Sequence, residues 1–556
     1  MIAAFHAAGT DYVFCASGSE WAPVWEAFAR RRADGRPAPT YLDLWHETVA
    51  VAMATGYGLV TRRPQAVLLH TVPGLLQGGM AVHGALLAGV GMVVTSSESN
   101  TYGEGDGPDP GSQWYRNLSF VGGPHTVAAP FTKWANQVGS VHTLYGMTTR
   151  AFELAERAPA GPVYLNVPLE VLLDPAEPPR LDRPVARKGA KLTAPADLEP
   201  VVELLATARR PVVITETGGR EEGGFEALRA FADELGIGVV EPQSTVAGNY
   251  PSDGPMHLGG ETAQVVKDAD LVLLVNCRVP FYPPSSKPTD ATIVVIDEVP
   301  QRPHVVYQVL DAEHYLEGGV PATLDALRAA VLERADAGAL ATRRAAFEAE
   351  HAAYAAQTAA AEAKAEEAAG IDPVRLAVRL RELQRREDAT VVDETITHGR
   401  VVQRHVGWVA PDRYFYVQGG LGQGLPVALG VKLATPDRPV IFTVGDGAYI
   451  YNPVTQALQA SKDLGLPVLV VVFNNRKYLS MKMNHLRFYP DGAAVANDDF
   501  LGVDLSSQVE LERFAEPFGM HAEAVSDAAE LDGALERALA AVKAGTTAVL
   551  NVMVTR

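Results

Sequence analysis

The sequence predicts an α/β protein made of three doubly wound domains, each with its own parallel sheet. Short runs of Val, Ile and Leu recur without polar alternation, which is typical of parallel strands buried on both faces. Several of these runs lead through a Gly-containing turn into a helix-like stretch, and strands that alternate with helices form doubly wound sheets. The runs cover residues 66–74, 90–95, 162–167, 211–219, 270–275, 292–297, 440–447, 467–473 and 547–554.

Two stretches of unusual composition divide these runs into three groups. Residues 174–195 are rich in Pro and in charged side chains, as linkers tend to be. Residues 331–370 are an Ala-, Glu- and Arg-rich helical stretch, which we interpret as a solvated connector because of its polar composition. The expected domains are a first domain of residues 1–180, a central domain of residues 190–340 and a third domain of residues 365–556.

The composition of the 556-residue chain excludes several classes of protein. An apolar fraction of 47% with 20% charged residues is ordinary for a globular chain, so disorder is excluded as the main state. The net charge of −19 argues against nucleic acid or an anionic membrane as the main partner. Cys15 and Cys277 are too few for a disulfide framework or a Cys-rich zinc site. We recognise neither a membrane span nor a signal peptide, and we expect a cytoplasmic protein.

Two polar motifs in the third predicted domain point to a metal and diphosphate site. Gly445-Asp446-Gly447 follows one apolar run, and Asn474-Asn475 follows the next. Both motifs would lie at the carboxyl ends of strands, where open α/β sheets bind ligands. Asp446 and Asn475 would offer hard oxygen ligands, which suit Mg²⁺ shared with phosphate oxygens. Gly-Asp-Gly alone is more often a structural turn, and the Asn pair reverses that interpretation.

These motifs resemble the signature of the thiamine diphosphate-dependent decarboxylase superfamily, in which a spacer of this length joins Gly-Asp-Gly to Asn-Asn. The resemblance extends over almost the whole chain and is nearest to benzoylformate decarboxylase-like members. It implies that the first domain binds the pyrimidine of the cofactor and that the third binds its diphosphate, beside Gly445 and Gly447. It also implies that Asp446, the Asn475 side chain and the backbone carbonyl of Lys477 hold Mg²⁺. A homodimer or dimer of dimers, with sites at the subunit interface, is expected for the same reason.

Three side chains of the first domain match catalytic positions of this family, and a fourth is a candidate substitute for one. Glu47 begins an apolar helix-like stretch, where the family places the carboxylate that protonates the pyrimidine ring. Ser19 lies in a turn that resembles the one supplying a catalytic serine, and His70 matches a catalytic histidine able to shuttle a proton. His125 is a candidate substitute for a glutamine that acetolactate synthases carry and residues 120–125 lack. A helix-start carboxylate and a buried structural histidine are the plain alternatives.

Further residues of the third domain are expected to contact the cofactor. Residues 419–426 read GGLGQGLP, and the resemblance implies that Leu421 forces the cofactor into its bent shape. It also implies that the carbonyl of Gly419 accepts a hydrogen bond from the amino group of the cofactor. Thr395 and Thr397 resemble hydroxyls that meet the diphosphate, although a helix N-cap explains a Thr there equally well.

Two departures from the family patterns leave the substrate open. Residues 278–284 read RVPFYPP and carry no histidine where benzoylformate decarboxylases have a second catalytic one. Ser480 and Met481, which we also place at the cofactor, stand where pyruvate decarboxylases carry Ile-Glu. Without that acid, simple decarboxylation of pyruvate to acetaldehyde is disfavoured.

The resulting hypothesis is a lyase or decarboxylase that depends on thiamine diphosphate and Mg²⁺ and acts on a small 2-oxo acid or 2-hydroxy ketone. A carboligase of acetolactate synthase type is the main alternative. A non-catalytic binding protein with this fold and an unrelated magnesium-phosphate enzyme remain open. Some relatives carry flavin in the middle domain, but nothing in the sequence requires it, so FAD is not expected and not excluded.

Overall fold

The computed structural model describes residues 1–99, 123–175, 185–243, 245–302, 310–507 and 509–555. They form three α/β units, each built around a parallel sheet, and these sheets confirm the predicted fold class. The order of the strands decides which loops meet at the carboxyl edge of each sheet.

The described residues of the first unit form six strands and seven helices. The strands are β1 Tyr12–Ala16, β2 Thr40–Leu44, β3 Gln65–Leu68, β4 Met92–Ser96, β5 Ala135–Gln137 and β6 Pro162–Asn166. The helices are α1 Ile2–Ala7, α2 Ala22–Ala33, α3 Glu47–Thr61, α4 Thr71–Leu87, α5 Pro124–Ala128, α6 Val141–Glu156 and α7 Leu169–Leu173. The sheet order is β2-β1-β3-β4-β6-β5.

The second unit contains a five-stranded sheet. The strands are β7 Pro211–Thr215, β8 Gly238–Val240, β9 Leu271–Val275, β10 Thr292–Asp297 and β11 His314–Glu317. The helices are α8 Pro195–Thr207, α9 Gly224–Leu235, α10 Thr262–Val265 and α11 Val320–Arg334. The sheet order is β11-β10-β9-β7-β8.

Residues 331–370, interpreted from the sequence as a solvated connector, also contribute side chains to the core of the second unit. This stretch is divided between the end of α11 and a separate helix, α12 Ala337–Glu366. Leu340 and Phe347 of α12 are buried in the core of the second unit. Arg343 is buried as well and donates hydrogen bonds to the carbonyls of Leu235 and Leu205. The first turns of α12 therefore belong to the second unit. The overall polar composition of the stretch did not indicate this, because the buried apolar side chains are few and lie on one face of the helix.

In the third unit, six strands and eight helices lie within the described part of the chain. The strands are β12 Thr390–Glu394, β13 Tyr414–Tyr416, β14 Val440–Gly445, β15 Leu469–Asn474, β16 His521–Val525 and β17 Ala548–Met553. The helices are α13 Pro373–Glu387, α14 Gly399–His405, α15 Gly424–Ala434, α16 Asp446–Tyr451, α17 Val454–Leu464, α18 Leu479–Phe488, α19 Ala493–Asn497 and α20 Leu531–Lys543. The sheet order is β13-β12-β14-β15-β17-β16.

The first and third units share one topology. Counted within each unit, both sheets run in the order 2-1-3-4-6-5. The helices that follow the second strand, α3 and α15, are buried over most of their length and pack on each other. A Cβ on Gly56 would lie 2.0 Å from the carbonyl oxygen of Val427, and one on Gly430 would lie 2.0 Å from that of Met53. Glycine at both positions is what allows the two backbones to approach so closely.

Candidate functional site

One half of the candidate site lies at the carboxyl edge of the third sheet. Strands β14 and β15 are parallel neighbours, with Gly445 paired to Phe473. Asp446 begins α16 directly after β14, and only 3% of its surface is exposed. Its Oδ1 accepts a hydrogen bond from the N–H of Gly447 at 2.9 Å, whereas its Oδ2 has no hydrogen-bond partner among the described residues.

The electrostatics of Asp446 favour a cation beside it. Burial raises the pKa of this carboxyl to about 6, although the N–H groups of Gly447, Arg476 and Lys477 partly offset the effect. A buried carboxylate oxygen that lacks a partner is costly, and a bound cation would remove that cost. Within the described ranges no three His, Cys, Asp or Glu side chains form a metal cluster. The buried Asp446 carboxylate beside amide and carbonyl oxygens is a donor set that would suit Mg²⁺, which takes few protein ligands and completes its shell with water and phosphate oxygens.

The Asn pair forms the turn that faces Asp446. Asn474 is buried, and its side chain donates to Oδ1 of Asn551 at 2.9 Å, so this residue anchors the end of β15. Oδ1 of Asn475 accepts from the N–H of Lys477 at 2.9 Å, and Arg476 between them has a left-handed φ of 54°. Asn475 lines the same cavity as Asp446. The structure thus brings Asp446 and the turn of Asn475 to Lys477 together.

An open cavity of about 400 Å³ lies over this edge of the sheet. Its lining includes the following residues singled out from the sequence: Thr395, Thr397, Leu421, Gly445, Asp446, Gly447, Asn475 and Ser480. Met481, half exposed, is the neighbour of Ser480 in the first turn of α18. A Cβ on Gly447 would lie 2.3 Å from the ring of Tyr478, so only glycine fits here without a shift of that ring.

Thr395 is placed at the cavity but is engaged elsewhere. Its hydroxyl donates to Oδ1 of Asp393 at 2.6 Å, and its N–H donates to the same oxygen at 2.9 Å. Asp393 is fully buried, and burial raises its pKa to about 6. Both donors of Thr395 therefore serve the end of β12, and Thr397 is the threonine of this segment with no such engagement in the described contacts.

Two residues of the same segment were not assigned a role by sequence reasoning. His398 lines the cavity and is 7% exposed, and burial lowers its pKa to about 4, so the ring is neutral at pH 7. Glu394 accepts from the N–H of Gln423 at 2.9 Å and from the amide of Asn452 at 2.8 Å. Glu394 is the last residue of β12 and His398 lies four residues further on, so both are near the carboxyl end of a strand, but neither residue is distinctive without its contacts.

The Gly-rich loop after β13 turns against the first unit. Gly419 and Gly422 have positive φ values of 92° and 91°, which favour glycine. A Cβ on Gly419 would lie 2.6 Å from the Cα of Gly84 in α4. Glu394 holds the other end of the loop at Gln423. Leu421 is therefore presented to the cavity by a loop that is fixed on both sides.

The other half of the candidate site lies at the carboxyl edge of the first sheet. Glu47 is the first residue of α3, and the ring of His46 caps that helix by accepting from the N–H of Thr48 at 3.1 Å. The Glu47 carboxylate reaches α4, where Oε1 is 3.0 Å from the position that a Cβ would take on Gly74. Glycine in α4 therefore makes room for this carboxylate beside His70, which precedes the helix.

His70 is held by an acid that sequence reasoning missed. Glu20 is fully buried, and its two carboxylate oxygens lie 2.9 and 3.0 Å from Nδ1 of His70. This hydrogen bond raises the pKa of His70, as do the negative charges of Glu20, Glu47 and Glu98, against the opposing effect of burial. Glu20 also accepts from the N–H of Thr71 at 3.1 Å. The pair favours a protonated imidazole, since Glu20 binds the ring at Nδ1.

Ser19 and His125 are less closely tied to this cluster. Ser19 is exposed, in the same short 3₁₀ turn as Glu20. His125 lies on α5, which packs against α4, and its buried Nδ1 has no hydrogen-bond partner among the described residues. Residues 120–122 of the motif that ends at His125 lie outside the described residues. The geometry thus places Glu47, His70 and Ser19 near one sheet edge and leaves His125 on the neighbouring helix.

We expect Glu20→Gln to lower the pKa of His70, because the substitution keeps the shape and removes the charge that stabilises the imidazolium. The wild-type ring should keep its proton to a higher pH than the variant ring. An NMR titration of the histidine side chains measures this directly. Glu26→Gln, on the exposed part of α2 and paired with Arg30, is the matched control. An unchanged His70 titration in Glu20→Gln would contradict the assignment.

Among the described residues no helix is long and apolar enough to cross a membrane.

Fold and site together define a class: three doubly wound domains, of which the first and third share a topology and carry polar clusters at equivalent strand ends. Residues 1–118, 198–327 and 396–552 match, in that order, the N-terminal TPP-binding domain, the central domain and the C-terminal TPP-binding domain of thiamine pyrophosphate enzymes. The chain belongs to this family, whose cofactor is also called thiamine diphosphate. The resemblance inferred from the sequence is thereby confirmed, and the protein is an enzyme of the thiamine diphosphate-dependent class.

Similar proteins of this class include both decarboxylases and a carboligase. A protein named "Probable 2-ketoarginine decarboxylase" from Pseudomonas aeruginosa is 28% identical over 83% of this chain and 77% of its own length. The mitochondrial acetolactate synthase catalytic subunit of Aspergillus candidus is 26% identical over 92% of this chain and 75% of its own. Benzoylformate decarboxylase of Pseudomonas aeruginosa is 26% identical over 89% of each chain.

The fold also matches a solved structure along the whole chain. The crystal structure of benzoylformate decarboxylase from Polynucleobacter necessarius has a TM-score of 0.80 with this protein, at 19% identity. The match covers 100% of this chain and 97% of the other. At this identity the likeness establishes the fold.

Proposed function

We propose that this protein uses thiamine diphosphate and Mg²⁺ to cleave the carbon–carbon bond beside the carbonyl of a small 2-oxo acid or 2-hydroxy ketone. The observation that carries the proposal is the buried Asp446 carboxylate, whose Oδ2 lacks a partner among the described residues and which faces the Asn475 turn. That arrangement provides a site for a cation at the edge of a cavity open to a diphosphate. The decarboxylases among the similar proteins support the reaction class.

The residues of the third unit would hold the diphosphate end of the cofactor. Asp446, the Asn475 side chain and the Lys477 carbonyl would bind Mg²⁺. Ser480 and Thr397 would donate hydroxyl hydrogen bonds to phosphate oxygens, and neutral His398 would donate one from a ring nitrogen. Gly445 and Gly447 leave the cavity wall without side chains. Leu421, Met481 and the carbonyl of Gly419 would fix the orientation of the two rings.

The residues of the first unit would handle protons. When bound, thiamine diphosphate supplies an electron sink for the bond that breaks. Glu47 would hold a proton at the pyrimidine ring nitrogen, and its place at a helix start suits a carboxylate that gives and regains one. His70, kept protonated by Glu20, would donate from Nε2 to the carbonyl oxygen of the substrate. Ser19 and His125 are proposed to approach the same substrate from either side.

We also propose that each site is completed by a second copy of the chain. Along α4, Glu47 lies beside Gly74, whereas Gly419 of the same chain lies beside Gly84. Ten helical residues advance about 15 Å, which is too far for both groups to reach opposite edges of one six-membered ring. Glu47 would therefore meet Asp446 of the partner subunit across an isologous interface. A homodimer is the smallest assembly with this property, and a dimer of dimers also has it.

A carboligase reaction is the second candidate. The acetolactate synthase relative is as similar to this chain as the benzoylformate decarboxylase relative, at 26% identity. In that reaction His70 would donate its proton to the carbonyl oxygen of an acceptor molecule, and the product would be the joined molecule instead of a free aldehyde. The central stretch around Arg278, which lacks a histidine, does not separate the two reactions.

Release of carbon dioxide from a panel of 2-oxo acids, with and without thiamine diphosphate and MgCl₂, tests the proposal. A second series with an added aldehyde acceptor separates decarboxylation from carboligation by product analysis. Cofactor-dependent turnover of at least one acid is expected. No turnover, together with no binding of thiamine diphosphate in calorimetry, would refute the proposal.

Three further points stand as proposals from the sequence. The domain limits are proposed at residues 1–180, 190–340 and 365–556, with the central domain extended over the first turns of α12 because Phe347 lies in its core. Each family match falls within one of these ranges. The cytoplasm is the proposed location. FAD is not expected, and the absorbance spectrum of the purified protein tests this.

A further inference from the structure

We propose that Arg278 is a positioning residue that holds the Gln418–Gln423 loop against helix α4. The inference rests on the proposed function for the identity of the ligand, since this loop carries Gly419 and Leu421. It assigns a role to the central unit, whose Arg278 stands in the stretch that lacks the histidine expected from benzoylformate decarboxylases. Arg278 would act on the cofactor only through the loop.

The side chain of Arg278 joins all three units. It follows β9 and is mostly buried, and its Nε donates to Oε2 of Glu216 at 3.0 Å within the central unit. Nη1 donates to the carbonyl of Leu87, at the end of α4 in the first unit, at 2.7 Å. Nη2 donates to Oε1 of Gln418, in the third unit, at 3.2 Å. One guanidinium thus binds one acceptor in each unit, which its planar set of donors permits.

The two acceptors lie next to each other for a structural reason. The backbone of the loop is packed on α4, where a Cβ on Gly84 would lie 2.8 Å from the carbonyl oxygen of Gln418. Oε1 of Gln423 would lie 2.5 Å from the same Cβ, so the loop packs on α4 through the backbone of Gln418 and the side chain of Gln423. Arg278 supplies the directional bonds, one to the helix end and one to the loop. Loss of either should let the loop move relative to α4 without opening the core.

The charge of Arg278 is held in place by Glu216. Glu216 is fully buried and accepts both from the Arg278 guanidinium and from the Arg278 N–H, at 2.8 Å. The Arg278 guanidinium also lies at the carboxyl end of α4, and the carboxyl end of a helix favours a cation.

Arg220 offers a matched comparison. It comes from the same central unit and donates to the carbonyl of Ala88, at the same end of α4. Its described hydrogen bonds go to Ala88 and Gly89 and not to the loop. Arg220→Lys and Arg278→Lys therefore both loosen the contact between the central unit and α4. Only Arg278→Lys should release the loop.

The test measures the dissociation constant of thiamine diphosphate by calorimetry in excess MgCl₂, for the full-length protein. Arg278→Lys and Gln418→Leu should each weaken binding about tenfold, as the loss of a charge-assisted hydrogen bond does. The double variant should be no weaker than the worse single variant, because both remove the same link. Gln418→Glu keeps an acceptor and should bind as the wild type does, and Arg220→Lys should stay within about twofold.

Hydrogen exchange of the apoprotein gives a readout that does not involve the cofactor. Amides of residues 419–423 should exchange faster in Arg278→Lys and Gln418→Leu, and at the wild-type rate in Gln418→Glu and Arg220→Lys. Wild-type exchange and wild-type affinity in Arg278→Lys and Gln418→Leu would overturn the inference. If the wild type itself binds no thiamine diphosphate, the proposed function fails, and the exchange rates alone then decide whether Arg278 holds the loop.

Discussion

Asp446→Ala should abolish the retention of thiamine diphosphate in the presence of Mg²⁺. The substitution removes the one carboxylate that the proposed metal site contains, and Asn475 and the Lys477 carbonyl are neutral donors. A divalent cation between a diphosphate and two neutral oxygens loses most of its attraction to the protein. Calorimetry in MgCl₂, and again in EDTA, measures the effect. The wild type should bind only with metal, and the variant should bind in neither buffer.

The apoprotein of this variant should fold as well as the wild type. Burial raises the pKa of Asp446 above its unfolded value, so its contribution to stability is fully present below the unfolded pKa of 3.8 and is lost as pH rises through about 6. At pH 8 the removal of the Asp446 carboxyl should therefore not lower the free energy of unfolding of the apoprotein. Asp463→Ala, an exposed carboxylate of the same domain, is the control. Wild-type affinity in Asp446→Ala would show that the metal is held elsewhere.

The sequence located the interior strands and overlooked the edges. All six edge strands, β2 and β5, β8 and β11, β13 and β16, lie outside the predicted apolar runs. Most of them are short or partly exposed, as in β16 with its pattern of partly exposed and buried residues. Such strands carry polar residues or span three residues, so they lack the continuous apolar run that predicted the others. The interior strands β1 and β12 also lie outside these runs.

Some residues of the candidate site could be identified from the sequence, and others could not. Asp446, Asn475, Glu47 and His70 could be found because each belongs to a motif or directly follows an apolar run. Glu20 could not, since its importance comes from Nδ1 of His70, a residue fifty positions away. The sequence drew attention to the stretch around Arg278 only because it lacks a histidine. The role of Arg278 itself could not be predicted, because its partners come from three separate units. The hydrogen bonds from Thr395 to Asp393 could likewise not be predicted, because they follow from the burial of the Asp393 carboxyl.

Glu47→Gln should lower turnover by about 10²- to 10⁴-fold, the usual contribution of a positioned acid or base. Glutamine can still accept or donate a hydrogen bond at the pyrimidine but cannot give up a proton. Binding of thiamine diphosphate should therefore change little, in contrast to Asp446→Ala. Turnover of whichever 2-oxo acid the screen identifies, together with calorimetry, separates the two effects. Glu26→Gln is again the exposed control, and wild-type turnover in Glu47→Gln would remove this carboxylate from the mechanism.

The same two variants test whether the site is shared between subunits. If Glu47 of one chain works with Asp446 of the partner subunit, a mixed dimer of Glu47→Gln and Asp446→Ala chains has one doubly altered site and one intact site. Random exchange of equal amounts makes half of the dimers mixed, so about a quarter of the wild-type activity should return. If both residues served a site within one chain, every site would carry one substitution and mixing would restore nothing. Subunit exchange under mild dissociating conditions, followed by the turnover assay, therefore distinguishes the two geometries without a structure of the complex.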